Sequence, residues 1–255
     1  MSPGATPDSP AARAFRLLQH VAAGGQTANL SELARETGIS RVTGMRLLAE
    51  LEGEKMLEQR PGGGHRLGVE FLKLAAVALS EENLSKLSQR VITRLSEVLQ
   101  LSAYLVLPQD DKVLYLLREV PQNRLVSNVS VGSLVPAHLT TPGRALLSQH
   151  SEQELRDLLG QEPLEVTTEN SPATYASLAE LLDLDRTRGC AWSHGGFEPG
   201  IDSCAAPVLG SAGEPIAAIS VAGPSALFTP EFMTLTQQEV IAAADDLTVM
   251  LNGVA

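Results

Sequence analysis

The sequence predicts an α+β chain of two modules: a small helical module closed by a β-hairpin, then an antiparallel sheet with helical covers. Three observations carry this. The stretch "LSELARETGISRVTGMRLLAELEGEKML", residues 30–57, has helix-turn-helix spacing. Apolar–polar alternation flanks a Pro-Gly-Gly-Gly tip at 61–64, as in a wing hairpin. Beyond residue 85, strand-like runs are interspersed with capped helical ones. With 255 residues and 44% apolar side chains, the chain is long enough for two cores.

The leader "MSPGATPDSP" is polar and Pro-rich and is expected to be disordered, with no secretory signal. Ser9-Pro10 then supplies an N-cap and a first helical proline. Ala14, Leu17, Leu18, Val21 and Ala22 recur behind it at helical spacing until Gly24-Gly25. Ser31 is expected to cap a second helix with Leu33 and Ala34 inward. Thr37-Gly38-Ile39 makes the corner, where glycine accepts a positive φ. Ser40 caps the third helix, whose apolar stripe is Leu47, Leu48 and Leu51. Gly44 falls on the inner face of that helix, where a Val or Ile would ordinarily pack, and costs roughly 1 kcal/mol in propensity. The expectation is a recognition helix that is mobile without DNA and that Gly44→Val would stabilise.

From Val69 to about Leu84, Phe71, Leu72, Leu74, Ala75, Ala78 and Leu79 form a helical stripe. A helix is expected over 85–100, then a strand "SAYLVL", a turn "PQDD", a strand "KVLYLLREV" and an extended segment over 124–136. Thr141 with Pro142 is expected to open the helix "GRALLSQH". "SEQELRDLLG" and "YASLAELLDLDRTRG" read as helices, 202–224 as a hairpin, and Thr229-Pro230 as the start of a last helix toward Leu251.

Charge separates the modules. The chain has 19 basic and 30 acidic residues; residues 1–68 hold 8 and 7 of them, so the remainder holds 11 and 23. That excludes non-specific coating of nucleic acid but not a small site-specific reader, because screening confines charge effects to roughly 8 Å at physiological salt. The longest apolar runs are too short to span a bilayer. Cys190 and Cys204 lack zinc-site spacing and are expected to be buried thiols in a reducing cytoplasm. No cofactor or metal is implied.

On the third helix the outward residues near the N-terminus are Ser40, Arg41, Val42, Thr43, Met45 and Arg46. Ser40, Thr43 and the helix amides suit phosphates; Arg41 and Arg46 reach guanine edges; Val42 suits a thymine methyl. His65 and Arg66 flank the wing tip and are expected at the DNA backbone or minor groove. Glu50, Glu52, Glu54 and Glu58 are expected to face away from it.

These features, with "AHLTTPGRALLS" at 137–148, "GCAWSHGGFEPGIDSCAAPV" at 189–208 and "GEPIAAISVAGP" at 213–224, resemble the IclR (isocitrate lyase regulator) family of bacterial transcription factors. The resemblance covers about Ala11 to Asn252. It implies a winged helix-turn-helix domain over 10–68 after the leader at 1–9, a linker helix over 69–84, and a GAF-like effector-binding domain over 85–255. It further implies homodimers or dimers of dimers on pseudo-palindromic operators, with repression relieved by a small molecule.

The family's effector pockets draw on the segments around His138, Thr140, Thr141 and Gly143, and on Ser203, Cys204 and Ser220. Thr141-Pro142-Gly143 at a helix start would seat a carboxylate. The sequence departs from the family at Ser193 to Gly196, where an acidic run is usual. That change removes acceptors and negative charge, so a larger or aromatic effector is expected (an acid, amide or hydrazide), touching Trp192, Ser193 and His194. Two rival functions remain open. "AWSHG" is one methyl from a serine-hydrolase nucleophile elbow, but "GFEPGID" cannot begin the helix that an elbow needs, and no histidine lies downstream. A ligand-binding module with degenerate DNA binding would be supported by Gly44 alone.

Overall fold

The computed structural model describes residues 9–81, 83–121 and 129–253. The expected disordered leader and much of the extended segment at 124–136 lie outside them, as do the side chains of Ala78 and Leu79. The chain divides into two compact units, one up to residue 82 and one from Asn83.

The first unit holds α1 (Pro10–Ala22), α2 (Leu30–Thr37), α3 (Arg41–Gly53), the hairpin β1 (Leu57–Gln59) and β2 (His65–Leu67), and α4 (Val69–Glu81). Ser9 caps α1 as expected, with Pro10 in the first turn. Leu17, Leu18 and Val21 pack inward, whereas Ala22 turns out to solvent. The cap of α2 is Asn29, two residues before the expected Ser31: its side-chain oxygen accepts from the backbone N–H groups of Ser31 and Glu32. Asn is as good a cap as Ser, and the apolar Leu30 can then enter the first turn. Gly38 ends α2 at φ 69°, the left-handed corner. Ile39, Leu47, Leu48 and Leu57 join the α1 and α2 side chains in one core.

Gly44 is buried on the inner face of α3, but the space beside it is not empty. A Cβ there would stand 3.3 Å from Leu33 Cδ2, a side chain only 1% exposed within the α2–α3 core. The expected gain from valine therefore gives way to a close approach. Gly44→Val should lower the stability of this unit by about 1–3 kcal/mol through overpacking. Gly44→Ala should stay within about 1 kcal/mol, since improved helix propensity offsets a small shift of Leu33. Thermal or urea denaturation reads both, and a more stable valine variant would contradict the packing argument.

The second unit is built on a six-stranded antiparallel sheet in the order β5 (Leu134–Pro136), β4 (Lys112–Glu119), β3 (Ser102–Gln109), β8 (Pro215–Pro224), β7 (Ile201–Leu209), β6 (Ala191–His194). Strand β3 runs through Pro108 and Gln109, so the expected four-residue turn contracts to Asp110-Asp111, with Asp110 at φ 51°. Side chains alternate across the sheet. Ala103, Leu105, Cys204, Ala206, Ile219 and Val221 face α5 (Asn83–Leu99) and α9 (Pro230–Asn252). Tyr104, Val106 and Ala218 face the opposite way, into the core that holds α6 (Thr141–Leu147), α7 (Glu152–Leu159) and α8 (Tyr175–Arg188). The expected α+β class is the one observed.

The cap of α6 is Thr140 rather than Thr141: its hydroxyl accepts from the Gly143 N–H at 3.2 Å. This satisfies the amide that was expected to receive a carboxylate. Gly143 is required by contact instead, because a Cβ would come within 2.1 Å of the Ala137 carbonyl oxygen.

Candidate functional site

The Ser40 hydroxyl caps α3, accepting from the Thr43 N–H and donating to the Thr43 hydroxyl at 2.9 Å. With both hydroxyls engaged in starting the helix, its N-terminal face is presented by Arg41, Val42 and Met45. Val42 is 75% exposed and Met45 57%. Arg41 is exposed and makes no ion pair among the described residues. Arg46 leans toward Glu50, one turn on, at 3.5 Å. Two exposed apolar side chains thus stand beside a guanidinium that has no ion partner among the described residues.

The wing differs from expectation. His65 is turned inward, 10% exposed, bonded through Nδ1 to the Thr27 hydroxyl at 2.7 Å and through Nε2 to Glu52. Hydrogen bonds from His65 and Gln59 hold the Glu52 carboxyl below the usual carboxylate range. His65 thus ties the wing to the helices and is withdrawn from solvent. Arg66 is exposed but lies on Glu58 across the hairpin, 2.8 Å apart. Glu58 also accepts from the Val69 N–H, and both contacts lower its pKa. Glu52 and Glu58, expected to face away from DNA, hold the very side chains predicted for the wing, His65 and Arg66. A wing cation with no ion pair among the described residues is Arg60, at the start of the tip, where its N–H and carbonyl close the turn with Gly64 and Gly63. Its place beside Pro61 and the glycines was the available signal, and sequence reasoning missed it.

In the second unit a cleft lies on the α6 side of the sheet. Strand register decides what lines it. Ser193 pairs with Ser203 and Ser203 with Ala222, so these three form one row; in the next row Ser220 stands between Tyr104 and Ala205. Thr140, Thr141 and Leu139 close one side, and Phe197, Glu198 and Ile201 another. Thr141 donates to Ser203 at 3.0 Å, and Ser193 accepts from the Gly196 N–H at 3.1 Å. Tyr104 and Tyr115 meet edge to face, centroids 5.4 Å apart. Burial pushes the Tyr115 hydroxyl well above its ordinary pKa, countered by a hydrogen bond with Thr140.

Thr140, Thr141, Ser193, Ser203 and Ser220 therefore share one cleft. Other expected residues do not reach it. Cys204 and Trp192 are adjacent in sequence to Ser203 and Ser193 and so point through the sheet to its far side. Cys204 is fully buried there, and burial drives its thiol well above the usual range. Trp192 packs edge-on against Phe228 and stacks on His194, whose Nδ1 is 2.7 Å from Asp202. His138 is buried with Nε2 bonded to the Glu165 carbonyl, and Gly143 sits behind Thr140. Tyr104, Tyr115, Phe197 and Glu198 were not anticipated. Tyr104 could have been read from the parity of β3. Phe197 and Glu198 lie in a loop with no periodic signal.

Comparison with known proteins agrees across the chain. Residues 10–61 match the model of the IclR helix-turn-helix domain, and residues 76–249 that of the bacterial transcriptional regulator IclR C-terminal. The transcriptional repressor IclR of Escherichia coli K12 is 27% identical over 244 residues, 94% of this chain and 89% of that protein. The Pca regulon regulatory protein of Pseudomonas putida is 30% identical over 161 residues, 63% of this chain and 55% of that one. A solved IclR transcriptional regulator from Alicyclobacillus acidocaldarius superimposes with a TM-score of 0.86 at 24% identity, covering 94% and 97% of the two chains. An IclR homolog from Microbacterium hydrocarbonoxydans, crystallised with 4-hydroxybenzoate, gives 0.78 at 22%, covering 94% and 99%.

Proposed function

Because the chain belongs to the IclR family of bacterial transcriptional regulators, we propose that it is a repressor released from its operator when an aromatic effector fills the cleft at Thr140, Thr141, Ser193, Ser203 and Ser220. It is a DNA-binding regulator modulated by a small-molecule ligand. The observation that carries the finer reading is the cleft itself: tyrosine walls stand over a floor of hydroxyls, on the sheet face that α6 covers. Such a site suits a flat ring with polar ends better than a two- or three-carbon oxoacid. The 4-hydroxybenzoate of the Microbacterium homolog is in keeping with that class.

Arg41, Val42, Met45 and Arg46 are assigned to base edges, and the Ser40–Thr43 helix start to phosphate. A pseudo-palindromic operator requires two-fold related copies, so the working form is a homodimer or a dimer of dimers. The protein is read as non-catalytic, since Ser193 lies within a strand with its hydroxyl on Gly196 and not at a strand-to-helix turn. No helix among the described residues is long and apolar enough to cross a membrane, and the assigned place of action is the cytoplasm.

The test has two parts. DNA upstream of the gene should be retarded by the protein, and aromatic acids, amides or hydrazides should relieve the retardation. The same compounds should raise the melting temperature, by an amount corresponding to about 2.7 kcal/mol at a hundredfold excess over Kd. Glyoxylate and pyruvate should do neither. The reverse pattern, stabilisation by oxoacids alone, would overturn the aromatic reading.

A further inference from the structure

We propose that α3 recognises the A·T pairs of its operator through the C5-methyl groups of thymine, with Val42 and Met45 as the side chains that read them. This rests on α3 being the helix that enters the major groove.

The exposed face of α3 changes character along its length. Arg41, Val42, Met45 and Arg46 occupy the N-terminal half, whereas Ala49, Glu50 and Gly53 follow toward the other end. A carboxylate repels phosphate, so the N-terminal half is the part that can lie deepest in the groove. Val42 and Met45 are the large apolar side chains that α3 exposes, while Leu47 and Leu48 on its other face fill the core. Three residues apart, the two stand on one side of the helix, about 4.5 Å apart along its axis. Base pairs follow one another every 3.4 Å or about that, so Val42 and Met45 match two consecutive pairs.

The polar inventory leaves A·T pairs to these two side chains. Adenine is read in the major groove by the paired donor and acceptor of Asn or Gln, and α3 contains neither between Arg41 and Gly53. Arg41 and Arg46 match guanine, whose edge offers two acceptors. Thr43 is half-buried and accepts from the Ser40 hydroxyl, and a lone hydroxyl, donor and acceptor at once, does not discriminate. What remains to mark an A·T pair is the thymine methyl, which calls for an apolar partner. Burying one methyl group is worth about fourfold in affinity.

The experiment begins with the full-length protein selecting duplexes from a random-sequence pool. Each half-site it retains should carry thymines in consecutive base pairs beside a guanine. The selected site is then synthesised with uracil for every thymine, which removes the methyls and leaves every hydrogen-bonding group in place. Fluorescence anisotropy should show wild-type affinity falling at least about tenfold on the uracil duplex, as two such contacts require. Val42→Ser with Met45→Ser, both at exposed positions and verified as folded by circular dichroism, should bind the two duplexes equally. Equal wild-type binding of both duplexes overturns the methyl reading. So does a uracil penalty that the double variant retains, since it would then belong to DNA shape. In either case a loss of binding in Arg41→Ala leaves α3 as the reader. A pool that yields no consensus, or a selected site on which uracil and Arg41→Ala are both without effect, overturns the assignment of α3 itself.

Discussion

Replacing Arg41 with alanine is expected to weaken operator binding by about 5- to 150-fold, the 1–3 kcal/mol of a direct base contact. Arg41 is the side chain for which this holds most cleanly. It sits in the first turn of α3, exposed, with no carboxylate to compete for it among the described residues. Arg46 must first leave Glu50, a surface pair of at most about 1 kcal/mol, so Arg46→Ala should cost somewhat less. Arg66→Ala should cost least, because Glu58 already neutralises the guanidinium. Fluorescence anisotropy on a labelled operator, repeated at several salt concentrations, separates the roles. A base-reading arginine changes sequence preference, while a phosphate contact lowers affinity uniformly and flattens the salt slope. Wild-type affinity in Arg41→Ala together with a large loss in Arg66→Ala would reverse the assignment of helix and wing.

The largest stability effect is expected at Asp185. Arg144 of α6 and Asp185 of α8 form an ion pair, Nε to Oδ2 at 3.0 Å, with both side chains almost fully buried. The guanidinium also donates to the Trp192 carbonyl of β6, so three elements meet on one cation. Burial raises the Asp185 carboxyl and lowers Arg144 from its ordinary value, each only partly restored by its partner. Desolvation therefore outweighs the attraction, as is usual for enclosed pairs. Asp185→Ala would leave Arg144 enclosed without its counter-charge and should cost about 3–5 kcal/mol. The double change Arg144→Met with Asp185→Leu removes both charges and should recover most of that loss. Urea unfolding of the single and double variants measures the difference, and a single variant within about 1 kcal/mol of wild type would mean that water reaches Arg144. Because α6 begins with Thr141 and is capped by Thr140, Asp185→Ala should also weaken effector binding.

Local signals were legible where the chain satisfies its own needs. Ser9-Pro10, Ser40, Gly38 and Thr229-Pro230 mark helix ends because caps and corners are solved by neighbouring residues. Thr140 and Asn29 were misplaced by one or two residues because each stands near a second capable cap. Strand β6 was not anticipated, since four residues carry too little periodicity. The assignment of Trp192, Ser193 and His194 to one pocket followed from that omission. Once Ala191–His194 is a strand, successive side chains cannot share a face. The same rule parts Ser203 from Cys204.

The amino-acid sequence by itself determined the two modules, the helix-turn-helix, the family and the hydroxyl-rich segments, because capping, turn chemistry and periodicity act over a few residues. Only the tertiary structure decided which of those groups meet. Antiparallel register put Ser193, Ser203 and Ser220 on one face and Cys204 on the other. The fold of the hairpin placed Glu52 and Glu58 against His65 and Arg66, and the approach of α2 to α3 closed the space beside Gly44. Each of these is a contact between different elements of the fold, governed by strand parity and close packing, which no single helix or strand specifies by its own run of residues.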